Sequence, residues 1–174
     1  MIDDKSLIKL LDEKNIDYVL HTHPPLFTVG DSKKLRGNIN GAHTKNLFLK
    51  NKKNNFYLFS CLESTIINLK ILKNRLNLGN ISFANEKNLL ELLNVKPGSV
   101  TPFGLLNNDN KEIKIKFFLD ERLNDFDSIN FHPLVNTSTI NIKKNDFYNF
   151  FEINNIVVNF INFETYNTYV IKQY

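Results

Sequence analysis

The sequence predicts an α+β fold, a mixed β-sheet flanked by helices in one domain over residues 1–174. Three observations point there. Helix-period and strand-period segments alternate irregularly, several strand pairs are joined by hairpin signals, and no linker, repeat or long low-complexity tract divides the chain. A chain of 174 residues with 42% hydrophobic and 12% aromatic content can bury an ordinary core without staples.

The elements follow in order. Residues 3–15 read as a helix: Ile2, just before it, and Leu7, Leu10 and Leu11 fall near one face, and Asp3 and Asp4 suit a helix start. IDYVLH (16–21) alternates like a strand. HTHPPLFTVGD must leave regular structure, because two prolines disfavour helix and ladder alike. Asp31 or Ser32 caps a short basic helix through SKKLR, and Gly37 ends it. Asn46–Leu49 and Phe56–Leu62 form a hairpin around the polar NKKNN turn. Residues 64–76 and 85–94 have helical spacing, and Ile81–Phe83 between them is a short strand. Strands are expected at Phe103–Leu106 and Ile113–Leu119, then at NFHPLV and TSTINI. A helix over 144–154 and a strand in VVNFINF follow, and the remaining tail, INFETYNTYVIKQY, has no assignment.

Composition removes several function classes. No apolar run approaches the roughly 20 residues that cross a bilayer, and the charged N-terminus has no signal-peptide pattern, so a cytoplasmic protein is expected. One cysteine, Cys61, allows neither a disulfide framework nor a cysteine-cluster zinc site, and its apolar setting FYLFSCL reads as buried and inert. The charge of +4 and pI near 9.0 favour polyanionic partners without demanding them. Only Arg36, Arg75 and Arg122 are arginines, whereas asparagines number 28. This Lys, Asn and Ile enrichment looks like nucleotide bias, which lowers the information in any single Asn or Lys. There is no GxSxG, Walker or GxGxxG motif.

Against that background four segments stand apart: HTHPPLFT (21–28), GAHTKNLFL (41–49), PGSVTPF (97–103) and FHPLVNTST (131–139). Each combines Gly or Pro with polar side chains at a strand edge, where binding groups are commonly mounted. Lys45, with Asn46 beside it, can orient a carboxylate, phosphate or carbonyl. PGSVTP offers free N–H groups able to cradle an anion or oxyanion, and Gly98 permits close approach. His132 precedes Pro133, so its backbone is extended and its ring can project into a cleft. Each has a plainer reading too: a solvated strand-end lysine, a simple turn, a hydrogen-bonded histidine. His21 and His23 share a strand face and could recruit His43 or His132 for a metal. The ligand spacing is poor, however, and no metal or other cofactor is expected.

Together, in this order and spacing, HPPLFTV (23–29), LRGNINGAHTKNLFLK (35–50), PGSVTPF (97–103) and NFHPLVNT (130–137) resemble the YbaK-like aminoacyl-tRNA editing superfamily. Within it the chain is most similar to the free-standing alanyl-tRNA(Pro) deacylases. The resemblance spans nearly the whole chain and implies a barrel-like mixed sheet surrounded by helices. It also implies trans-editing: hydrolysis of alanine misattached to tRNA(Pro) by prolyl-tRNA synthetase. The family lysine falls on Lys45, the GxxxP loop on Gly98-Ser99-Val100-Thr101-Pro102, and HPLxN on His132, Pro133, Leu134 and Asn136. The short helix 31–37, with Lys33, Lys34 and Arg36, would meet the tRNA acceptor end. Aminoacyl-tRNA(Pro) is the implied substrate and prolyl-tRNA synthetase a second partner; a monomer is the default.

An aminoacyl ester is already activated, so such a site needs water, orientation and an oxyanion donor more than a covalent nucleophile. Lys45 and Asn46 would hold the terminal adenosine or aminoacyl group, and the N–H groups of Gly98 and Ser99 the oxyanion. The substrate's own ribose hydroxyl would help to activate water, while His132 shapes the pocket or orients water. A synthetase built for proline rejects a smaller side chain weakly, since a missing methylene changes binding by only about 1–3 kcal/mol. A second pocket that admits alanine and excludes proline completes the discrimination. Phe27, Val29, Leu47 and Leu134 are candidates for its apolar wall, with Thr28, Thr101 and Asn136 adding polar positions. Alternatives are a Cys-tRNA(Pro) deacylase of the same superfamily, a small-molecule amidase or esterase, and a non-catalytic tRNA- or synthetase-binding module.

Overall fold

A computed structural model describes residues 1–26, 30, 37–108 and 113–170. Helix α1 (Asp4–Glu13) starts where Asp3 accepts hydrogen bonds from the N–H and Oγ of Ser6, at 2.8 and 2.6 Å. The strands that follow are β1 (Tyr18–Thr22), β2 (Ala42–Asn51) and β3 (Phe56–Leu62). Helix α2 (Leu69–Arg75), β4 (Ile81–Phe83) and helix α3 (Glu86–Leu93) come next. Then come β5 (Ile115–Asp120), β6 (Ser128–Phe131), β7 (Ser138–Lys143), helix α4 (Lys144–Ile153), β8 (Val158–Ile161) and β9 (Thr168–Tyr169).

The nine strands make one mixed sheet in the order β1-β7-β6-β2-β3-β5-β8-β9, with β4 also paired to β2. The pairs β2/β6, β3/β5 and β5/β8 are parallel and the others antiparallel. The expected mixed sheet flanked by helices is therefore present, and its strand path runs from β1 to β9 without a closing pair among the described residues. Six of the seven residues of β3 are buried, which explains why FYLFSCL lacks alternation. Phe56 and Leu58 face one cluster with Phe117, Leu119, Phe103, Phe131, Phe147 and Phe151. Tyr57, Phe59 and Cys61 face a second with Leu49, Leu72, Phe118 and Ile161.

Three sequence expectations are corrected. Residues 102–107 form a 3₁₀ helix, not a strand. Pro102 opens it with a pre-set φ, and Gly104 lets it lie against α3, where an added Cβ would sit 2.9 Å from Leu93 Cβ. Helix α2 begins at Leu69, five residues later than its apolar spacing suggests. Asn68 caps it through bonds from the N–H groups of Lys70 and Ile71, and Thr65 is held elsewhere. The strand expected through NFHPLV stops at Phe131, before the proline. The unassigned tail supplies β9, whose Tyr169 stacks on Phe160 with ring centroids 5.3 Å apart. The basic helix expected over 31–37 lies outside the described residues except for Gly37.

Candidate active site

Strand β2 is the hub of the candidate site. One edge is fully paired with β3. The other carries β6 only at Ala42–His43 and β4 only at Leu49–Asn51, with Ala84 N–H also bonded to Phe48 O at 2.9 Å, so no described strand borders residues 44–47. The close start of this pairing requires Gly41: at φ +90° it lies where a Cβ would fall 2.4 Å from Ser128 Oγ. Asn130, nearly fully buried, donates to Asn40 O and Ala42 O at 2.8 and 3.2 Å, and Thr44 Oγ1 donates to Asn130 O at 2.7 Å. Segment 41–46 is thereby fixed to the strand leading into His132.

Alternation along β2 sends Asn46 and Lys45 to opposite faces. Asn46 donates to Val100 O at 3.0 Å and accepts from the buried Ser60 hydroxyl, its cross-strand partner. The side chain thus ties the GxxxP loop to the sheet. Within that loop Gly98 is exposed with φ +84°, a conformation suited to glycine. Ser99 N–H donates to Lys96 O at 3.0 Å. The Ser99 donor is thus engaged in the turn, whereas Gly98 N–H has no hydrogen bond to a described residue. Thr101 is fully buried, and its Oγ1 has no partner among the described residues.

Lys45 lies on the face of its cross-strand partner Cys61, and its ammonium donates to the carbonyl of Thr65. Behind that carbonyl is a compact ionic cluster. Asp120 is fully buried and accepts from Arg122 N–H, Nε and NH2 at 3.1, 3.0 and 2.7 Å, and from Thr65 Oγ1 at 3.2 Å. Arg122 NH2 also donates to Thr65 Oγ1 at 2.7 Å. The carboxylate bonds raise the Arg122 pKa further above its already high value. Burial pushes the Cys61 thiol up to about 12, which leaves it protonated and non-nucleophilic, as its apolar setting suggested.

The HPLxN and HPPL segments are zipped together. His23 N–H donates to Thr137 O, Leu26 N–H to Asn136 O and Asn136 Nδ2 to Leu26 O, each at 3.0 Å. His132 Nδ1 lies 3.0 Å from Ser138 O, an acceptor only, so Nδ1 carries the proton and Nε2 is left as an acceptor. Burial lowers the His132 pKa below the ordinary histidine value, so the ring is neutral at pH 7. His23 stands beside it, with ring centroids 6.3 Å apart. Its Nδ1 donates to Pro24 O and its Nε2 accepts from Thr139 Oγ1, both at 2.9 Å.

The structure thus links Asn46 to the Gly98–Thr101 loop, and ties the β2 start to β6, the strand that leads into His132. It separates Leu47 from Leu134: Leu47 packs beside the second cluster, whereas Leu134 is buried in the first with φ +68°. Phe27, Thr28, Val29, Lys33, Lys34 and Arg36 lie outside the described residues. Ser60, Thr65, Asp120 and Arg122 were not singled out from the sequence. The available signal was an Asp and an Arg ending an apolar strand (FFLDER), and in a biased sequence it reads as an ordinary strand end. Among the described residues no group of three His, Cys, Asp or Glu could hold a metal, and no helix is long and apolar enough to cross a membrane.

Residues 23–150 match the aminoacyl-tRNA editing domain family, and the chain belongs to that family. It is 35% identical over 151 residues to prolyl-tRNA synthetase associated domain-containing protein 1 of Xenopus laevis, covering 84% of this chain and 88% of the relative. It is 32% identical over 143 residues to the prolyl-tRNA editing protein ProX of Acetoanaerobium sticklandii, covering 82% and 86%. Its fold matches the crystal structure of a candidate trans-editing enzyme for prolyl tRNA synthetase, with TM-score 0.62 and 16% identity over 91% of this chain and 96% of that one.

Proposed function

We propose that this protein is a trans-acting aminoacyl-tRNA deacylase that hydrolyses the ester of Ala-tRNA(Pro) and spares Pro-tRNA(Pro). The observation that carries the reading is the attachment of Asn46 to Val100 O, which fixes the exposed Gly98 turn against the unbordered stretch of β2. Family membership and the relatives named for prolyl-tRNA supply the substrate class. In this reading Gly98 N–H stabilises the oxyanion and Lys45 orients the terminal adenosine or the aminoacyl group. Neutral His132 accepts a proton or a water hydrogen at Nε2. Asn46 acts by holding the loop rather than by touching the ester. The site needs no covalent nucleophile, since the ester is already activated. tRNA(Pro) is the macromolecular partner, with prolyl-tRNA synthetase as the source of the mischarged substrate.

The test is a panel of Ala-, Cys- and Pro-tRNA(Pro) hydrolysed by the purified protein. Rapid loss of alanine with proline spared is expected. Loss of cysteine alone would reassign the substrate within the family, and binding without hydrolysis of any ester would make the chain a tRNA-binding module.

A further inference from the structure

The loop between β3 and α2 has a feature that the reaction above does not explain. It is short and starts beside a buried charge, and the Thr65 carbonyl within it accepts from the Lys45 ammonium. Thr65 N–H bonds Leu62 O at 3.0 Å, and its hydroxyl sits between Asp120 and Arg122. Asp120 also accepts from Leu62 N–H at 3.4 Å. Three constraints therefore fix residue 65, and the Lys45 ammonium is bonded to its carbonyl. Asp120 is completely buried, and a buried carboxylate is costly unless it is fully paired. The chain meets that cost with Arg122, whose side chain is 37% exposed. A lone structural ion pair would need neither Thr65 nor the lysine.

We propose that Asp120, Arg122 and Thr65 form a positioning device for Lys45, holding its ammonium at the orientation the substrate requires. The proposal rests on the assignment of Lys45 as a substrate-contacting residue. Thr65 is a positioning residue: its hydroxyl does not reach the substrate but is read through the lysine. Without the hydroxyl, the Asp120–Arg122 pair remains intact while residue 65 keeps only its N–H bond to Leu62 O and loses the two side-chain bonds that orient its carbonyl. A misplacement of the order of 1 Å near the reacting centre costs up to about a hundredfold.

The test uses Thr65→Val, which keeps the shape and removes the hydroxyl, with Thr65→Ser as the conservative variant. In single-turnover deacylation of Ala-tRNA(Pro), Thr65→Val should lower the rate constant about tenfold or more while substrate affinity stays within about twofold, and Thr65→Ser should restore most of it. In a double-mutant cycle Thr65→Val should add little to Lys45→Ala, because the effect passes through the lysine. A second readout is independent of activity. Acetylation of Lys45 by an N-hydroxysuccinimide ester, followed by mass spectrometry, should be several-fold faster in Thr65→Val, because the amine is released from its carbonyl. Equal labelling in the two proteins, or fully additive losses in the cycle, would overturn the proposal. If labelling changes but the wild type hydrolyses no ester, the positioning stands and the deacylase reading falls.

Discussion

His132 shows how one residue's surroundings set its chemistry. Its Nδ1–H is held by Ser138 O, and burial disfavours the charged ring, so its folded pKa lies below the unfolded value of 6.5. The stability this residue contributes is complete above pH 6.5. It declines as pH falls through the lower folded pKa, because the unfolded chain takes up the proton first. Urea unfolding between pH 8 and pH 5 should therefore show a steeper loss of stability in the wild type than in His132→Gln, and parallel curves would contradict this. Deacylation should also fall on the acid side, where protonation removes the Nε2 acceptor. Asn46 is a second case. Asn46→Ala leaves the buried Ser60 hydroxyl and Val100 carbonyl without their partner, at about 1–3 kcal/mol. It should also slow ester hydrolysis by freeing the loop, and measured unfolding and deacylation together check both effects. Asparagine bias hid such roles. Asn46 was legible only through its motif, yet Asn15, Asn54, Asn77, Asn94 and Asn155 all occupy left-handed backbone positions where asparagine is better tolerated than most residues.

At the scale of elements, the 3₁₀ helix at 102–107 is locked to α3 by Gly104. Gly104→Ala would place a methyl 2.9 Å from Leu93 Cβ and 3.1 Å from its carbonyl, both on a packed helix. A loss of about 1–3 kcal/mol is expected, read as a lower urea midpoint with an unchanged slope. The hairpin, α1, α3 and α4 were legible because apolar spacing and polar turns agree along the sequence. Residues 103–106 were not: FGLL has a strand's apolar content, and only packing on Leu93 reveals why it coils. The late start of α2 was hidden for a related reason. Ile67 continues the helical spacing, but Thr65 is bound by Asp120, more than fifty residues away. Long-range polar anchors leave no local period. For the same reason the motifs located the lysine and the loop, but not the residues that hold them.

Over the whole molecule, the sheet splits the core in two and leaves β2 partly unbordered where the motifs meet. The positive charge and a polyphosphate partner together make binding depend on salt. In titrations of tRNA(Pro), affinity should fall steadily as salt rises, and a flat response would show that the backbone is not engaged. The most direct test of the proposed site is single-turnover hydrolysis of Ala-tRNA(Pro) by the wild type and by Lys45→Ala at neutral pH. Fast release by the wild type, with a loss of about a hundredfold or more in the variant while its fold is retained, is the predicted result. Equal rates in the two proteins would remove Lys45 from the reaction and contradict the assignment of this site.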